Sequence, residues 1–158
     1  MFREMLRKKQ QLSREECIEI LKKELRGVLS LLGDDDYPYG LPLNHFYCEE
    51  DGRLYFHCGK LGHKLDAIRR HDKASFCVLD QGSRAEGDWA LTFNSVIVFS
   101  RVELIEDREK IYDVTRRLCY KFTQDEEYID REFRQSGPGT LMFALTPEHI
   151  CGKRVHEA

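Results

Sequence analysis

The segment Tyr55-Phe-His-Cys-Gly-Lys-Leu-Gly-His-Lys-Leu-Asp-Ala-Ile68 runs from an alternating strand pattern, through two glycines and three basic residues, into a helical pattern. That order suits capture of a phosphate dianion. Glycines let backbone N–H groups approach the anion, a helix N-terminus aims more of them at it, and cationic side chains complete the shell. Gly59, Gly62, Lys60, His63 and Lys64 are the candidates. The competing reading is an ordinary strand-to-helix turn carrying solvated lysines.

A second stretch, Asp36-Tyr-Pro-Tyr-Gly-Leu-Pro-Leu-Asn-His-Phe46, puts Pro42 inside a strand pattern, where a missing ladder donor marks an edge, a bulge or an irregularity. Backbone groups freed near Pro42, with the Asn44 side chain, can hydrogen-bond a planar heterocycle, while Leu41 and Leu43 offer apolar contact. An edge strand with an incidental proline explains the same residues. His45, His57, Cys58, His63 and Cys77 are metal-ligand types, but no Cys-x-x-Cys or similar pair accompanies them, so no metal site is predicted. Cys58 and His63 lack the third group that would orient a thiolate and its base. His57 lies on an alternating strand, as an interior histidine or a ligand contact. Trp89 and Phe93 read as core. Asn94, Ser95 and Ser100 are small polar groups in an apolar run and need partners, whether across strands, at a subunit interface or on a ligand.

Ser13-Arg-Glu-Glu16 is a capping box opening a helix over about 13–25 that carries Cys17, Ile18, Leu21 and Leu25. Strand patterns follow at Val28–Leu32, Tyr39–Cys48 and Arg53–Cys58, then a helix from near Leu61 with Leu61, Leu65 and Ile68 on one side. Lys73–Asp80 and the long run Trp89–Leu104 read as strands. Asp107 opens a helix bearing Ile111, Val114, Leu118 and Phe122. A shorter helix with Tyr128, Ile129 and Phe133 ends at Ser136-Gly-Pro-Gly139, before a final strand over Thr140–Leu145. Short turns between about six strands predict a mainly β, α+β protein, an antiparallel barrel with flanking helices rather than a parallel doubly wound sheet.

The 158 residues predict one domain: an N-terminal helical segment over 1–26, a barrel with inserted helices over 27–146, and a C-terminal tail over 147–158. A composition of 41% hydrophobic and 34% charged residues supports a folded core. The net charge of -3 counts against a nucleic-acid partner. No apolar stretch has signal-peptide or membrane-span character, so a cytoplasmic protein with six free thiols is expected.

Arg26-Gly-Val-Leu-Ser-Leu31, Tyr39-Gly-Leu-Pro-Leu-Asn44, Leu54-Tyr-Phe-His-Cys-Gly-Lys-Leu-Gly-His-Lys64 and Phe93-Asn-Ser-Val-Ile-Val98, in this order and spacing, resemble the pyridoxamine 5'-phosphate oxidase-like FMN-binding split barrels. Within them the chain looks most like the nitroimidazole-resistance group, which Pro147-Glu-His-Ile-Cys-Gly-Lys153 also matches. The resemblance implies a six-stranded split barrel forming a homodimer, with FMN in two clefts at the interface. It implies that His63 and Lys64, with Lys60, grip the phosphate, that Pro42, Leu43 and Asn44 line the ring system, and that His57 and Cys58 run beside the ribityl chain or ring. Asn94 and Ser95 would come from the second subunit. The oxidase's own pair is Arg-Lys rather than His63-Lys64, which makes the phosphate grip sensitive to histidine protonation. Nothing resembles the arginine- and tryptophan-bearing segment that the oxidase uses for its substrate, which argues against pyridoxamine phosphate oxidation. The expected activity is transfer of electrons from NAD(P)H to a small acceptor, a nitroaromatic among the candidates, with His63 as the proton-delivering residue. The alternative from another class is a non-catalytic haem- or flavin-binding barrel in which His45, His57 or His63 is a ligand.

Overall fold

The computed structural model describes residues 1–157. Seven strands, β1 (Arg26–Leu32), β2 (Pro38–Asn44), β3 (Phe46–Cys48), β4 (Arg53–Cys58), β5 (Lys73–Leu79), β6 (Thr92–Ile105) and β7 (Leu141–His156), form one antiparallel sheet in the order β2-β1-β5-β6-β7-β4-β3. Four helices accompany them: α1 (Arg14–Lys23), α2 (His63–Arg70), α3 (Arg108–Cys119) and α4 (Glu126–Ser136).

The covalent chain closes this sheet into a barrel. β2 and β3 are opposite edges, yet His45 alone separates Asn44 from Phe46, so the sheet must curl until its edges meet. His45 sits fully buried at that seam, its ring 5.0 Å from Phe76, and its Nε2–H donates to the Leu21 carbonyl at 2.6 Å. Burial, and then the charge of Lys121, push its pKa down to about 3, so the ring is neutral. Lys121 straps the seam from outside, donating to the carbonyls of Glu24 at 2.6 Å and His45 at 2.9 Å.

Inside the barrel, alternate residues of β1, β4, β5, β6 and β7 supply the core. Phe56 stacks on Phe143 at 4.8 Å and meets Phe76 edge-on at 5.0 Å, with Leu29, Leu54, Val78, Val96 and Leu145 around them. Gly27 is required here, because a Cβ would collide with the Cys77 carbonyl oxygen. α1 begins at the expected capping box, Ser13 and Glu16 bonding each other's backbone N–H at 3.1 and 2.8 Å, and buries Cys17 and Leu21. α3 packs on the outside of the barrel, where Ile111 and Val114 join Tyr55, Met142 and Ala144.

Several sequence expectations need correction. There are seven strands rather than six, because the run over Tyr39–Cys48 is two strands belonging to opposite edges. The last strand continues beyond Leu145 to His156. Pro147 stands where the ladder slips, Phe99 facing His149 and Ser100 facing Pro147, so Glu148 is the extra residue of a bulge that absorbs the missing N–H. Leu61 is 91% exposed and precedes α2 rather than lying on its apolar side. Trp89, read as core, is 69% exposed in the β5–β6 connection.

Candidate functional site

β4 alternates its side chains between two environments. Leu54, Phe56 and Cys58 enter the core, while Tyr55 and His57 point outward, Tyr55 under α3 and His57 into an open cavity. That cavity has a volume of about 860 Å³ and lies at the barrel seam, where Asn44 of β2 and His57 of β4 face the inner sides of α3 and α4. Its helical wall is Ile111, Tyr112, Leu118, Phe122, Tyr128 and Phe133.

The clamp loop runs from the end of β4 into α2. Gly62 is the N-cap of α2 with φ of 126°, a conformation that favours glycine, and no atom lies near where a Cβ of Gly59 or Gly62 would stand. The loop can therefore bring backbone close to a ligand, and the first amides of α2 have no intrahelical acceptor. Lys60 is exposed beside it. Lys64 is half-buried, its Nζ 5.8 Å from the centre of the Phe143 ring. Its charge reaches His57 and Cys58. Surrounding protein and then Lys64 hold the His57 pKa below its usual value, so the ring is a neutral donor and acceptor at neutral pH. Burial raises the Cys58 pKa against the pull of Lys64, leaving a thiol.

His63 is turned elsewhere. Its ring stacks on Tyr39 at 4.1 Å, and its Nε2 accepts the Asp34 backbone N–H at 3.3 Å and stands 3.6 Å from the Asp34 carboxylate, which Arg70 also holds at 2.6 Å. The two members of the expected basic pair thus diverge, Lys64 toward β4 and His63 toward the β1–β2 turn. Of the ring-lining candidates, Asn44 reaches the cavity; Leu43 packs on the core, and Pro42 stands on the exposed side of the edge strand, opposite Val28. Asn94 is tied within the chain, its Nδ2 donating to Asp80 at 2.6 Å and its Oδ1 accepting from Arg154 at 3.0 Å, and Ser95 lies between Leu79 and Lys153 on the outer sheet face. Neither lines the cavity of its own chain.

A sequence model described as pyridoxamine 5'-phosphate oxidase matches residues 13–154. The chain belongs to the pyridoxamine 5'-phosphate oxidase family. No curated protein matches the sequence. Solved structures share the fold: a candidate 5-nitroimidazole antibiotic resistance protein from Bacteroides thetaiotaomicron is 17% identical, with a TM-score of 0.77 over 92% of this chain and 87% of that one. An FAD- and haem-binding protein from Mycobacterium smegmatis is 20% identical, with a TM-score of 0.72 over 91% and 72% of the two chains. An FAD-binding protein from Mesorhizobium loti is 21% identical, with a TM-score of 0.66 over 92% and 97%. At these identities the likeness shows the fold, an antiparallel split barrel in a mainly β protein.

Sequence reasoning missed the helical wall. Tyr112, Thr115, Cys119 and Phe122 form a second stripe on and just beyond α3, at i, i+3, i+7 and i+10, beside the core stripe of Ile111, Val114 and Leu118. A helix with two apolar stripes has two things to cover, and that signal was present in the sequence.

Proposed function

We propose that the chain is a homodimeric flavoprotein that binds FMN and passes electrons from NAD(P)H to a small acceptor, with nitroaromatics as the acceptor class to test first. The observation that carries this reading is the open Gly59–Gly62 loop leaving β4 with Lys64 close enough for its charge to act on His57, which lines the cavity with Asn44. A phosphate at the α2 N-terminus and a flat ring extending along β4 would use each of these groups. The flavin-binding descriptions of the Mesorhizobium and Mycobacterium structures support the cofactor class, and the family's description names a phosphate-bearing small molecule, pyridoxamine 5'-phosphate.

In this reading Lys64 and the loop amides hold the phosphate, with Lys60 at its solvent side. Asn44 and the neutral His57 hydrogen-bond the ring edge. A bound flavin would supply the redox chemistry, taking a hydride at N5 and returning electrons to the acceptor. His57, open to the cavity, is better placed than His63 to exchange a proton there.

The outer face of the sheet supports the dimer. The register places Pro42, Val28, Cys77, Ile97 and Cys151 in one uncharged row across five strands, and Gly40, Ser30, Ser75, Phe99 and His149 in the next. Val28, Leu32, Leu79 and Phe99 are all more than a third exposed on this face. The apolar row through Pro42, Val28, Cys77, Ile97 and Cys151, beside Phe99 and His149 on which Phe2 packs, reads as an interface. It borders the seam, so a second copy seated there would wall the cleft.

The test is to purify the chain, record its visible spectrum, titrate the flavin-free protein with FMN, and measure its mass by sedimentation. Saturable FMN binding by a dimer supports the reading, and absence of flavin binding overturns it. The haem alternative has one histidine left to it, because His45 is buried in the core and His63 is stacked on Tyr39. A Soret band abolished by His57→Ala would support haem in place of flavin.

A further inference from the structure

The α3–α4 wall is built for more than shielding a cofactor. Tyr112, Phe122 and Tyr128 are 51%, 44% and 45% exposed although they sit among charged helix residues, and all three line the cavity. Phe133 also lines the cavity, its ring 4.7 Å from that of Tyr112. Rings arranged this way offer stacking surfaces to a flat molecule. Thr115 also lines the cavity, and its Oγ1 is shielded from solvent without a hydrogen-bond partner, a costly state for a hydroxyl.

Formal charge in the wall cancels: Arg108 and Arg134 stand against Asp130 and Glu132. Arg108 is also occupied by the carbonyls of Gly137 at 3.0 Å and Thr140 at 2.9 Å, and Asp130 by Arg116 at 2.7 Å. The wall's formal charges sum to zero, so it carries no net charge to favour an ion of either sign, and an uncharged aromatic ligand would lose little hydration on entering.

We propose that the α3–α4 cavity binds an uncharged, planar aromatic molecule whose polar atom hydrogen-bonds the Thr115 hydroxyl, and that this compartment selects the acceptor. The selecting role rests on the flavin reading above; the binding does not. Aromatic faces of Tyr112, Tyr128 and Phe133 hold the ring, and Thr115 discriminates ligands by the placement of their polar atom.

Equilibrium dialysis of 2-naphthol against the full-length chain, without flavin and again with FMN, tests this. The expected result is saturable binding that weakens roughly 2- to 13-fold in Thr115→Val, the range that follows from a net hydrogen bond of about 0.5–1.5 kcal/mol. Thr115→Val should unfold at the same or a higher temperature than wild type, because it removes a hydroxyl that has no partner in the free protein. Phe133→Ala should weaken 2-naphthol binding in the flavin-free protein. No saturable 2-naphthol binding, or binding indifferent to Thr115→Val, overturns the proposal. Naphthol binding without FMN binding supports the compartment and overturns the flavin reading alone; FMN binding without naphthol binding does the reverse.

Discussion

Phe56, Phe76 and Phe143 meet inside the barrel within 5.0 Å of one another's neighbouring ring and expose no surface, whereas α4 buries only Ile129. What holds α4 is polar: Arg116 reaches Asp130 and Glu126, and Arg108 ties the Gly137 and Thr140 carbonyls that follow the helix. The first arrangement is close-packed and intolerant of change, while the second can loosen without exposing much apolar surface. The barrel therefore serves as the rigid frame that fixes Asn44, His57 and Lys64, and the α3–α4 hairpin, loosest at α4, as an adjustable cover over the cavity.

Truncation separates the two most sharply. Phe143→Ala should cost about 3–5 kcal/mol of unfolding free energy, measured by urea denaturation, through lost burial and an unfilled cavity. A loss below about 1 kcal/mol would mean that the barrel core is as compliant as the hairpin.

Acidification probes the seam that closes the frame. The folded pKa of His45 lies at about 3, below its usual 6.5, so the unfolded chain binds the proton more tightly. Its stabilising contribution is complete above pH 6.5 and is lost as pH falls from there toward 3. The slope for this one group approaches about 1.4 kcal/mol per pH unit. The depressed His57 adds in the same direction. Unfolding free energies measured between pH 7 and 5 should show this decline, with a shallower slope in His45→Gln. An unchanged slope would move the acid sensitivity away from the seam.

The smallest effect on global stability is expected at the hairpin. Arg116→Ala should leave the unfolding midpoint nearly in place while the α4 amides exchange faster with deuterium. Equal protection of α4 and the barrel strands in that variant would show that the cover is as rigid as the frame.

Much of the frame was legible in the sequence. The capping box at Ser13 located α1, and the outward Tyr55 and His57 against the inward Leu54 and Phe56 followed the period of two. Tyr39–Cys48 was not readable as two strands, because no local signal says that a strand changes edge at His45; that break is a property of barrel closure. The extension of the last strand past Leu145 was hidden for a related reason: the missing donor of Pro147 is absorbed by a bulge at Ser100, which only the partner strand reveals. At the site, the family resemblance made His63 and Lys64 a pair on one phosphate, whereas in the structure they face different neighbours. Consecutive residues at a helix start point in different directions, and the acidic β1–β2 turn holding Asp34, nearby only in the fold, draws His63 away.

That divergence gives the most direct test of the account. FMN affinity should be measured by fluorescence titration for wild type, Lys64→Ala and His63→Ala, at pH 6 and pH 8. The account predicts that Lys64→Ala weakens FMN binding about tenfold or more, as expected for loss of a charge-assisted contact to phosphate. It predicts that His63→Ala changes it little, and that wild-type affinity is nearly the same at both pH values. A large loss in His63→Ala with a fall in wild-type affinity at pH 8, and no effect of Lys64→Ala, would contradict it.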